Sequence, residues 1–451
     1  MKEAPAPSAN PDTIDLQVKD LVARMTGISD AHSIDTSKSV IELMDSLKIL
    51  EFREILERIF RVFISDDEWL GFRSIDQLMG FINSKQAPLR TSPSSAARQH
   101  ETMQTRMSSS GSRGWSLTPS GILYDEMEIG MPFTGLNNLC EGPLLQRVGD
   151  LRWNQLSALC GVPSKELADS DGQRLYSTFF YVEIAFPEDR PMASYGENDR
   201  IKFLCTMKRF GYSMLDGVTY LMMPGDSSET SAPPFGGIEG AVAAGIPAVR
   251  LSNIFVMQFA GAEWLKKSRP ANPGFERIPE SALAPDSYTA VKQAEKDGYF
   301  APPGKTYIPM TRGPVKIEYR LVPDRDLNGA GLVYFANYPV FLDIGERPVL
   351  GSAEFPLSED LINRRTIVRR KSAYLNNASA RDVLDIEVEP WIENPFLTGH
   401  PSPEMAPIRL FINCRMYRRS DHRLMMVSTA EKIIFSRPME EVPFFSRLSG
   451  A

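Results

Sequence analysis

The stretch Met44-Asp45-Ser46-Leu47, together with the helix that it begins, restricts the possible folds of this chain most strongly. From Leu47 onward, apolar residues recur at helical spacing along the inward face, and charged residues fill the opposite face. The apolar positions are Leu47, Leu50, Phe52, Ile55, Ile59 and Phe60. Asp45 is a good N-cap, so the Ser46 hydroxyl falls in the first helical turn, at the positive end of the helix dipole. A phosphodiester on Ser46 would therefore lie where backbone N–H groups favour an anion.

Segments on both sides of this helix continue an all-α pattern. Upstream, residues 13–25 are predicted to form an amphipathic helix, followed by a long loop over residues 27–41. The residues of that helix that are predicted to face inward are Ile14, Val18, Leu21 and Val22. Downstream, the short acidic connection 64–67 leads to a last helix from Ser74 to Ile82. Four helices are therefore expected within residues 1–88.

On these residues the stretch 1–88 resembles an acyl carrier protein, a four-helix bundle. The resemblance implies that Ser46 carries covalent 4'-phosphopantetheine and that a phosphopantetheinyl transferase attaches it. Arg53, Arg58 and Arg61 stand where carrier proteins are mostly neutral or acidic, so the resemblance leaves the docking partner open.

Composition and charge narrow the remaining classes. A hydrophobic content of 42% and a charged content of 24% are those of an ordinary soluble protein of two or three domains. Residues 1–88 hold 10 lysines and arginines against 15 aspartates and glutamates, which argues against nucleic acid and favours basic enzyme partners. The four cysteines show neither metal-site nor disulfide spacing. Without an apolar run of membrane length or a signal segment, we expect a cytoplasmic protein that does not bind membranes.

Residues 89–120 are predicted to form a flexible linker. They are rich in Ser, Thr, Arg and Pro, and they show no hydrophobic periodicity. A docking helix over residues 96–107 is the alternative. A tethered carrier on such a linker could visit a site on the next domain at high effective concentration.

The rest of the chain is predicted to be α+β. A Gly-rich turn from Asp326 leads into a helix whose first turn can hold Pro339. An earlier turn at 135–139 leads similarly into a helix over residues 141–153. The predicted strands are residues 179–186, 200–207, 250–257, 366–375, 385–388, 409–417 and 423–435.

This order resembles the hot-dog fold, in which an antiparallel sheet wraps one central helix and the acyl-thioester site lies at that helix's amino end. The segment from Gly331 to Glu346 resembles the thioesterase branch. Leu136-Asn137 and Leu327-Asn328 match in place, which suggests a duplication and thus a double hot dog. We assign residues 121–310 to a first hot-dog domain and residues 311–451 to a thioesterase-like second one. Residues 224–248 and 262–310 are expected to be insertions.

The ensemble also resembles the leinamycin-type bifunctional acyltransferase/decarboxylases of polyketide clusters. The matching segments are residues 130–150, 172–176 and 326–338. Such enzymes take methylmalonyl from CoA, decarboxylate it and leave propionyl on a carrier thiol. The resemblance implies acyl-CoA and polyketide synthase or related pathway enzymes as partners.

The positions of the histidines argue against dehydration, one of the reactions of hot-dog proteins. A dehydratase needs a histidine near the mouth of the tunnel, paired with an acid on the central helix. The four histidines are His32, His100, His400 and His422, and none falls in residues 130–160 or 326–350. Dehydration, and a Ser-His-Asp hydrolase, are therefore disfavoured.

Asn328 stands where the thioesterase branch has its catalytic aspartate. An amide cannot act as base or nucleophile, but it can donate a hydrogen bond to a thioester carbonyl. Loss of CO₂ leaves negative charge on that oxygen, so this donor would assist decarboxylation. The alternative is that Asn328 is a turn residue.

The resemblance implies further site residues in both halves. Tyr176 matches the tyrosine that is acylated in the leinamycin-type family, and Tyr181 is the second choice. Either phenol needs activation, for which Arg174 is close in sequence. A half-buried strand tyrosine is the alternative for Tyr176. Substrate contacts are expected from Asn137, Asn138, Glu141, Gly331 and Tyr334.

The sequence thus predicts a carrier fused to an acyltransferase/decarboxylase that loads propionyl from methylmalonyl-CoA, or acetyl from malonyl-CoA. An editing thioesterase and a non-catalytic acyl-thioester binding module stay open.

Overall fold

The computed structural model describes residues 11–43 except 27 and 29, residues 52–86 except 54, 58, 61, 63 and 65, and residues 114–223, 235–258, 265–398 and 406–435. Ser46 and its neighbours lie outside the described residues. So do His100, His400 and most of the predicted linker, including the alternative helix over residues 96–107.

Helices with a shared apolar core form the described part of residues 1–88. They are α1 (Pro11–Thr26), α2 (Val40–Leu43), α3 (Asp66–Gly71) and α4 (Ile75–Gln86), and residues 52–60 are helical wherever they are described. The four residues of α1 that were predicted to face inward are all buried. The carrier bundle as such stays a prediction, because the residues around Ser46 are not described.

Arg53 differs from its expected place on the solvent face. It is 3% exposed, and its guanidinium lies 3.4 Å from the Glu57 carboxylate and 5.6 Å from the ring centre of Trp69. Glu57 also accepts a 2.9 Å hydrogen bond from the backbone N–H of Ile64. Arg53 therefore has a packing role, and its charge says nothing about a docking partner. Ile59, which was predicted to be apolar and inward, is exposed, and Leu56 is buried instead.

The second part of the chain contains a 14-stranded sheet in which every strand pair is antiparallel. The sheet strands before residue 300 are β1 (Ser116–Leu117), β2 (Leu123–Glu128), β5 (Leu175–Ala185), β6 (Arg200–Cys205), β7 (Lys208–Phe210), β8 (Met214–Met222), β9 (Ala248–Gln258) and β10 (Leu265–Lys267). Those after it are β11 (Tyr307–Pro309), β12 (Val315–Arg320), β13 (Thr366–Tyr374), β14 (Val383–Glu393), β15 (Ile408–Arg418) and β16 (Arg423–Ile434). A separate hairpin joins β3 (Thr134–Gly135) to β4 (Asn138–Leu139).

Two long helices occupy equivalent places in the chain. The first is α5 (Glu141–Cys160), between β2 and β5, and the second is α9 (Tyr338–Ser352), between β12 and β13. Shorter helices are α6 (Ile238–Ala243), α7 (Asp286–Asp297), α8 (Pro323–Asp326) and α10 (Glu359–Arg364). As predicted, α9 holds Pro339 in its first turn, where a missing N–H costs nothing.

One strand order is used twice. In the first half the neighbours run β2-β6-β8-β9-β5, and in the second half they run β12-β14-β15-β16-β13. Numbered within each half, both read 1-3-4-5-2, with the long helix between strands 1 and 2. Apolar residues of α5 and α9 share a buried cluster with the strands of their own half. The architecture is therefore an α+β hot-dog fold, and its repeat agrees with the duplication suggested by the sequence.

The two halves join through β5 and β13. Five residue pairs connect them, from Arg369 opposite Ala185 to Ala373 opposite Tyr181. Helix α7 covers the outer face of this joint through Val291 and Ala294. The region that was expected to be an insertion, residues 262–310, thus includes a helix that packs against both halves.

Two boundaries differ from the predictions. The end of the predicted linker, residues 116–117, forms β1 and pairs with β2. Strand β8 was not predicted, because Asp216 and Gly217 interrupt its apolar residues, although the strand is buried almost throughout. No helix of the described residues is long and apolar enough to cross a membrane.

Candidate acyl-thioester site

A cavity of about 490 Å³ lies where β5 and β13 stop pairing. Beyond the pair of Tyr181 and Ala373, a bulge in β5 and the end of β13 separate the strands, and the gap remains open. The loop that precedes α9, residues 327–337, borders this gap and is called the entry loop below. The lining residues from β5 and its neighbours are Trp153, Tyr176, Ser177, Thr178, Phe179, Phe180, Ile254, Val256 and Lys267. Those from the second half are Asn328, Leu332, Val333, Tyr334, Phe335, Tyr338, Tyr374, Leu375, Asn376, Asn377, Arg418 and Arg423.

Asn328 organises the entry loop through its carboxamide oxygen. That oxygen accepts hydrogen bonds from the backbone N–H groups of Ala330, at 2.9 Å, and Leu332, at 3.2 Å. Gly331 adopts a φ of 72°, a left-handed conformation that a glycine adopts without strain. The turn role that the sequence left open is thus present. Because the oxygen is engaged, the NH₂ of Asn328 is the end that a ligand in the cavity can use.

Asp326 and Asn377 hold the entry loop in place. The buried Asp326 carboxylate accepts hydrogen bonds from the Tyr319 hydroxyl at 2.8 Å and from the backbone N–H of Val322 at 2.7 Å. Burial alone would raise its pKa, but these bonds and the Arg325 guanidinium lower it. Asn377 accepts a 2.9 Å hydrogen bond from the backbone N–H of Val333. The Asp326 carboxylate, the acid nearest to Asn328 in the sequence, is therefore occupied by hydrogen bonds that hold the loop.

Aromatic rings form the walls of the cavity. The Phe179 and Phe335 ring centres are 4.0 Å apart, which brings β5 against the entry loop. A Cβ on Gly149 of α5 would lie 2.8 Å from the Phe335 ring, so only glycine lets this ring approach the helix. Burial, and next the charge of Asp150, raises the pKa of Tyr334. The Tyr334 phenol is therefore suited to hydrogen bonding rather than to ionisation.

The described lining of the cavity is cationic and includes no acid or histidine that could activate water. Lys267, Arg418 and Arg423 line it, whereas none of its described lining residues is an aspartate, glutamate, histidine or cysteine. Arg418 is hydrogen-bonded to the Asp421 carboxylate and the Asn377 carbonyl oxygen. The site thus suits an anionic ligand. It also offers hydrogen-bond donors to a carbonyl group of such a ligand.

Tyr176 lines the cavity, but it lies on the face of β5 away from α5. The residues before and after it, Leu175 and Ser177, occupy the face towards α5, where Leu175 packs with Leu156. The Arg174 guanidinium carbon is 4.7 Å from the ring centre of Tyr176, which fits the expected neighbouring cation. Its role as nucleophile stays a prediction.

Tyr181 does not lie at the site. It is 2% exposed, packs beneath α7 and donates a 2.8 Å hydrogen bond to Glu183. Burial and the Glu183 carboxylate raise its pKa far above the ordinary value of a phenol. The second-choice nucleophile is therefore a structural residue of the joint.

The first-half residues predicted to contact substrate lie at the equivalent end of α5, not in the cavity. Asn137 donates to the carbonyl oxygens of Arg364 and Arg365, and Asn138 to that of Ala193. The Glu141 carboxylate lies 2.7 Å from the buried Arg370 guanidinium, and its burial raises its pKa.

An ion cluster occupies this equivalent place. Arg370 also pairs with the fully buried Glu346, and Lys432 bridges Glu346 and Asp343. Paired charges therefore fill the place at the amino end of α5 that corresponds to the cavity at the amino end of α9. For this reason, the sequence match between Asn137 and Asn328 does not indicate a second site.

Sequence reasoning missed Trp153, Ser177 and Asn377. The cavity forms between two strands and a helix that are far apart in sequence, so no local motif marks these residues. A weak signal existed for Ser177, a small polar residue in the strand segment from Leu175 to Phe179.

The sequence matches no family model and no curated protein. Among solved structures, it is similar to a protein assigned as an oleoyl thioesterase from Lactobacillus plantarum (9% identity, 71% of this chain and 97% of the other, TM-score 0.46). It is also similar to an acyl-ACP thioesterase from Bacteroides thetaiotaomicron (10% identity, 71% and 100%, TM-score 0.39). A third is a 12:0-ACP thioesterase from Umbellularia californica (9% identity, 70% and 95%, TM-score 0.42).

Proposed function

We propose that this chain is an enzyme that binds an acyl thioester in the cavity between β5 and the entry loop and acts on its acyl group. The observation that carries the proposal is the free NH₂ of Asn328 beside a cavity with aromatic walls and cations. A preorganised donor at a thioester carbonyl stabilises the charge that develops there, and the size of the cavity is typical of small-molecule sites. The cations suit the phosphate of CoA or of phosphopantetheine.

Transfer with decarboxylation is the first candidate reaction. In a malonyl-type thioester, the bond to the carboxylate breaks, CO₂ leaves, and its electron pair passes into the enolate until water returns a proton. This step needs a donor at the enolate oxygen and no base, which agrees with the absence of acids and histidines among the described lining residues. The phosphopantetheine thiol on Ser46 would then form a new thioester with the propionyl or acetyl group, and the CoA thiol would leave.

Hydrolysis is the second candidate, and it is the activity that the names of the solved structures give to those proteins. One observation in this chain favours it. The Asn328 oxygen accepts two backbone N–H groups, and one oxygen of an aspartate would fit there without change. The entry loop thus has the shape for a catalytic carboxylate, although this chain carries an amide.

Intact-protein mass spectrometry separates these reactions. The protein is first treated with CoA and a phosphopantetheinyl transferase, with Ser46→Ala as control, and then with methylmalonyl-CoA. We expect phosphopantetheine on the wild type only, followed by a propionyl adduct. Tyr176→Phe should abolish loading if the phenol is the acyl carrier. Free acid as the only product would assign the chain as a thioesterase, and failure to consume any acyl-CoA would contradict the proposal.

A further inference from the structure

Ser177 is a buried hydroxyl without a protein partner. It is 6% exposed, and its Oγ makes no hydrogen bond to any described residue. Among the described cavity-lining side chains it is the one with such an atom. A buried hydroxyl without a partner destabilises the folded state, so native proteins rarely keep one unless a ligand or an ordered water satisfies it.

The hydroxyl lies on the inner wall of the cavity. In β5, Leu175, Ser177 and Phe179 alternate onto the face towards α5. Phe255, which stands opposite Ser177 on β9, is fully buried on the same face. Trp153 of α5 lines the cavity on the facing side. The side chains around Ser177 in this wall are therefore mostly apolar. Asn253, a buried polar residue opposite Phe179 on the same face, accepts a hydrogen bond from Arg152 and is not among the lining residues of the cavity.

Asn328 and Ser177 lie at different depths in the cavity. Asn328 is exposed at the entry loop, whereas Ser177 is buried in the strand. A thioester whose carbonyl meets Asn328 therefore extends its acyl group inward, towards Ser177. An alkyl chain there would leave the hydroxyl unsatisfied, whereas an oxygen on the acyl group would accept or donate a hydrogen bond.

From this placement, and resting on the proposed function, we infer that Ser177 selects acyl groups that carry an oxygen beyond the thioester carbonyl. Such groups are 3-oxoacyl, 3-hydroxyacyl and malonyl-type acids. A site built around a hydrogen bond rejects analogues that lack it, because its polar group is then left unpaired. Ser177 is thus a specificity-determining residue, and simple saturated acyl groups are poor ligands.

Binding of two CoA analogues with uncharged acyl groups tests this inference without catalysis. In both, a methylene replaces the thioester sulfur, and the acyl group is either 3-oxobutyryl or butyryl. Calorimetry on the wild type should show tighter binding of the 3-oxobutyryl analogue by about tenfold, the effect of one net hydrogen bond. Ser177→Ala should bind both equally. Ser287→Ala removes a buried hydroxyl that pairs with Ser252, and neither residue is among the lining residues of the cavity, so this variant should keep the wild-type preference.

Equal affinities in the wild type, or an unchanged preference in Ser177→Ala, would overturn the inference while leaving the proposed function intact. If neither analogue bound the wild type, the proposed function itself would fail. Thermal unfolding of each variant shows that the comparison is made on folded protein.

Discussion

Asn328 holds the entry loop with its oxygen and leaves its NH₂ to a ligand. The carboxamide oxygen thus has a structural role, and the NH₂ has the proposed chemical role. Replacing this residue by alanine removes both, whereas replacing it by aspartate keeps the oxygen that accepts the Ala330 and Leu332 N–H groups.

For Asn328→Ala, we expect decarboxylation to slow by about 10²–10³, the usual effect of losing one oxyanion donor. Asn328→Asp should decarboxylate slowly too, but it should release more free acid, because a carboxylate can activate water. Rates of CO₂ release and of acid formation from methylmalonyl-CoA measure both effects. Wild-type decarboxylation in Asn328→Asp would show that the amide takes no part.

The entry loop and the helices on either side of it determine the shape of the cavity. Gly149 lets the Phe335 ring lie against α5, and Asp326 anchors the start of the loop. Both residues act through packing or hydrogen bonds at a distance from a bound acyl group. Substitutions of these two residues therefore test how the entry loop is held, and not the reaction at the thioester.

Gly149→Ala should lower the free energy of unfolding by about 1–3 kcal/mol, because the new Cβ overlaps Phe335 and pushes its ring towards the cavity. Gly142→Ala is the matched control on the same helix. There a Cβ would make only ordinary contacts, at 3.4 Å from the Ala336 carbonyl oxygen and 3.6 Å from Val340. Denaturant unfolding should find the control unchanged or more stable by up to about 1 kcal/mol. Similar losses in both variants would contradict this role of Gly149.

Stability in acid should depend on Asp326. Its folded pKa lies below the unfolded value, so its contribution is fully present above about pH 4 and is lost as the pH falls through the folded pKa. Asp326→Asn should therefore be less stable than the wild type at pH 7 and lose less stability on acidification. Asp324→Asn, at an exposed position on the same short helix, should follow the wild-type curve. Parallel curves for Asp326→Asn and the wild type would argue against this account.

Local patterns in the sequence predicted the elements better than the site. The periodicity of residues 366–375 and 423–435 indicated β13 and β16, and Pro339 marked the start of α9. The burial of Glu141 could not be predicted, because a charged side chain is buried only when a partner neutralises it, and Arg370 is distant in sequence. Arg53 and Tyr181 have partners close in sequence, but the elements that cover them, Trp69 and α7, could be placed only in the folded chain. Ser177 became visible only once the strands around it were positioned.

The duplicated fold uses its two equivalent places differently. One holds the open cavity, and the other holds the cluster of Glu141, Arg370, Glu346 and Lys432, which joins α5 of the first half to β13, α9 and β16 of the second. Among the described residues, the two equivalent places thus hold a cavity on one side and an ion-paired joint on the other.

Arg370→Met should lower the free energy of unfolding by about 3–5 kcal/mol, because the buried Glu141 would lose its ion-pair partner and the buried Glu346 would lose one of its cations. Arg409→Met is the control. It breaks a surface pair with Glu188, at 2.7 Å, that also links the two halves, and it should cost at most about 1 kcal/mol. Chemical denaturation of both variants measures the difference. Equal costs would mean that the cluster does not stabilise the joint.

A crystal structure of the protein with a non-hydrolysable acyl-CoA analogue tests the location of the site most directly. We expect the acyl group in the cavity between β5 and the entry loop, with its carbonyl oxygen within hydrogen-bond distance of the Asn328 NH₂. Electron density for the acyl group beside Glu141 and Arg370, or outside the cavity altogether, would contradict this assignment.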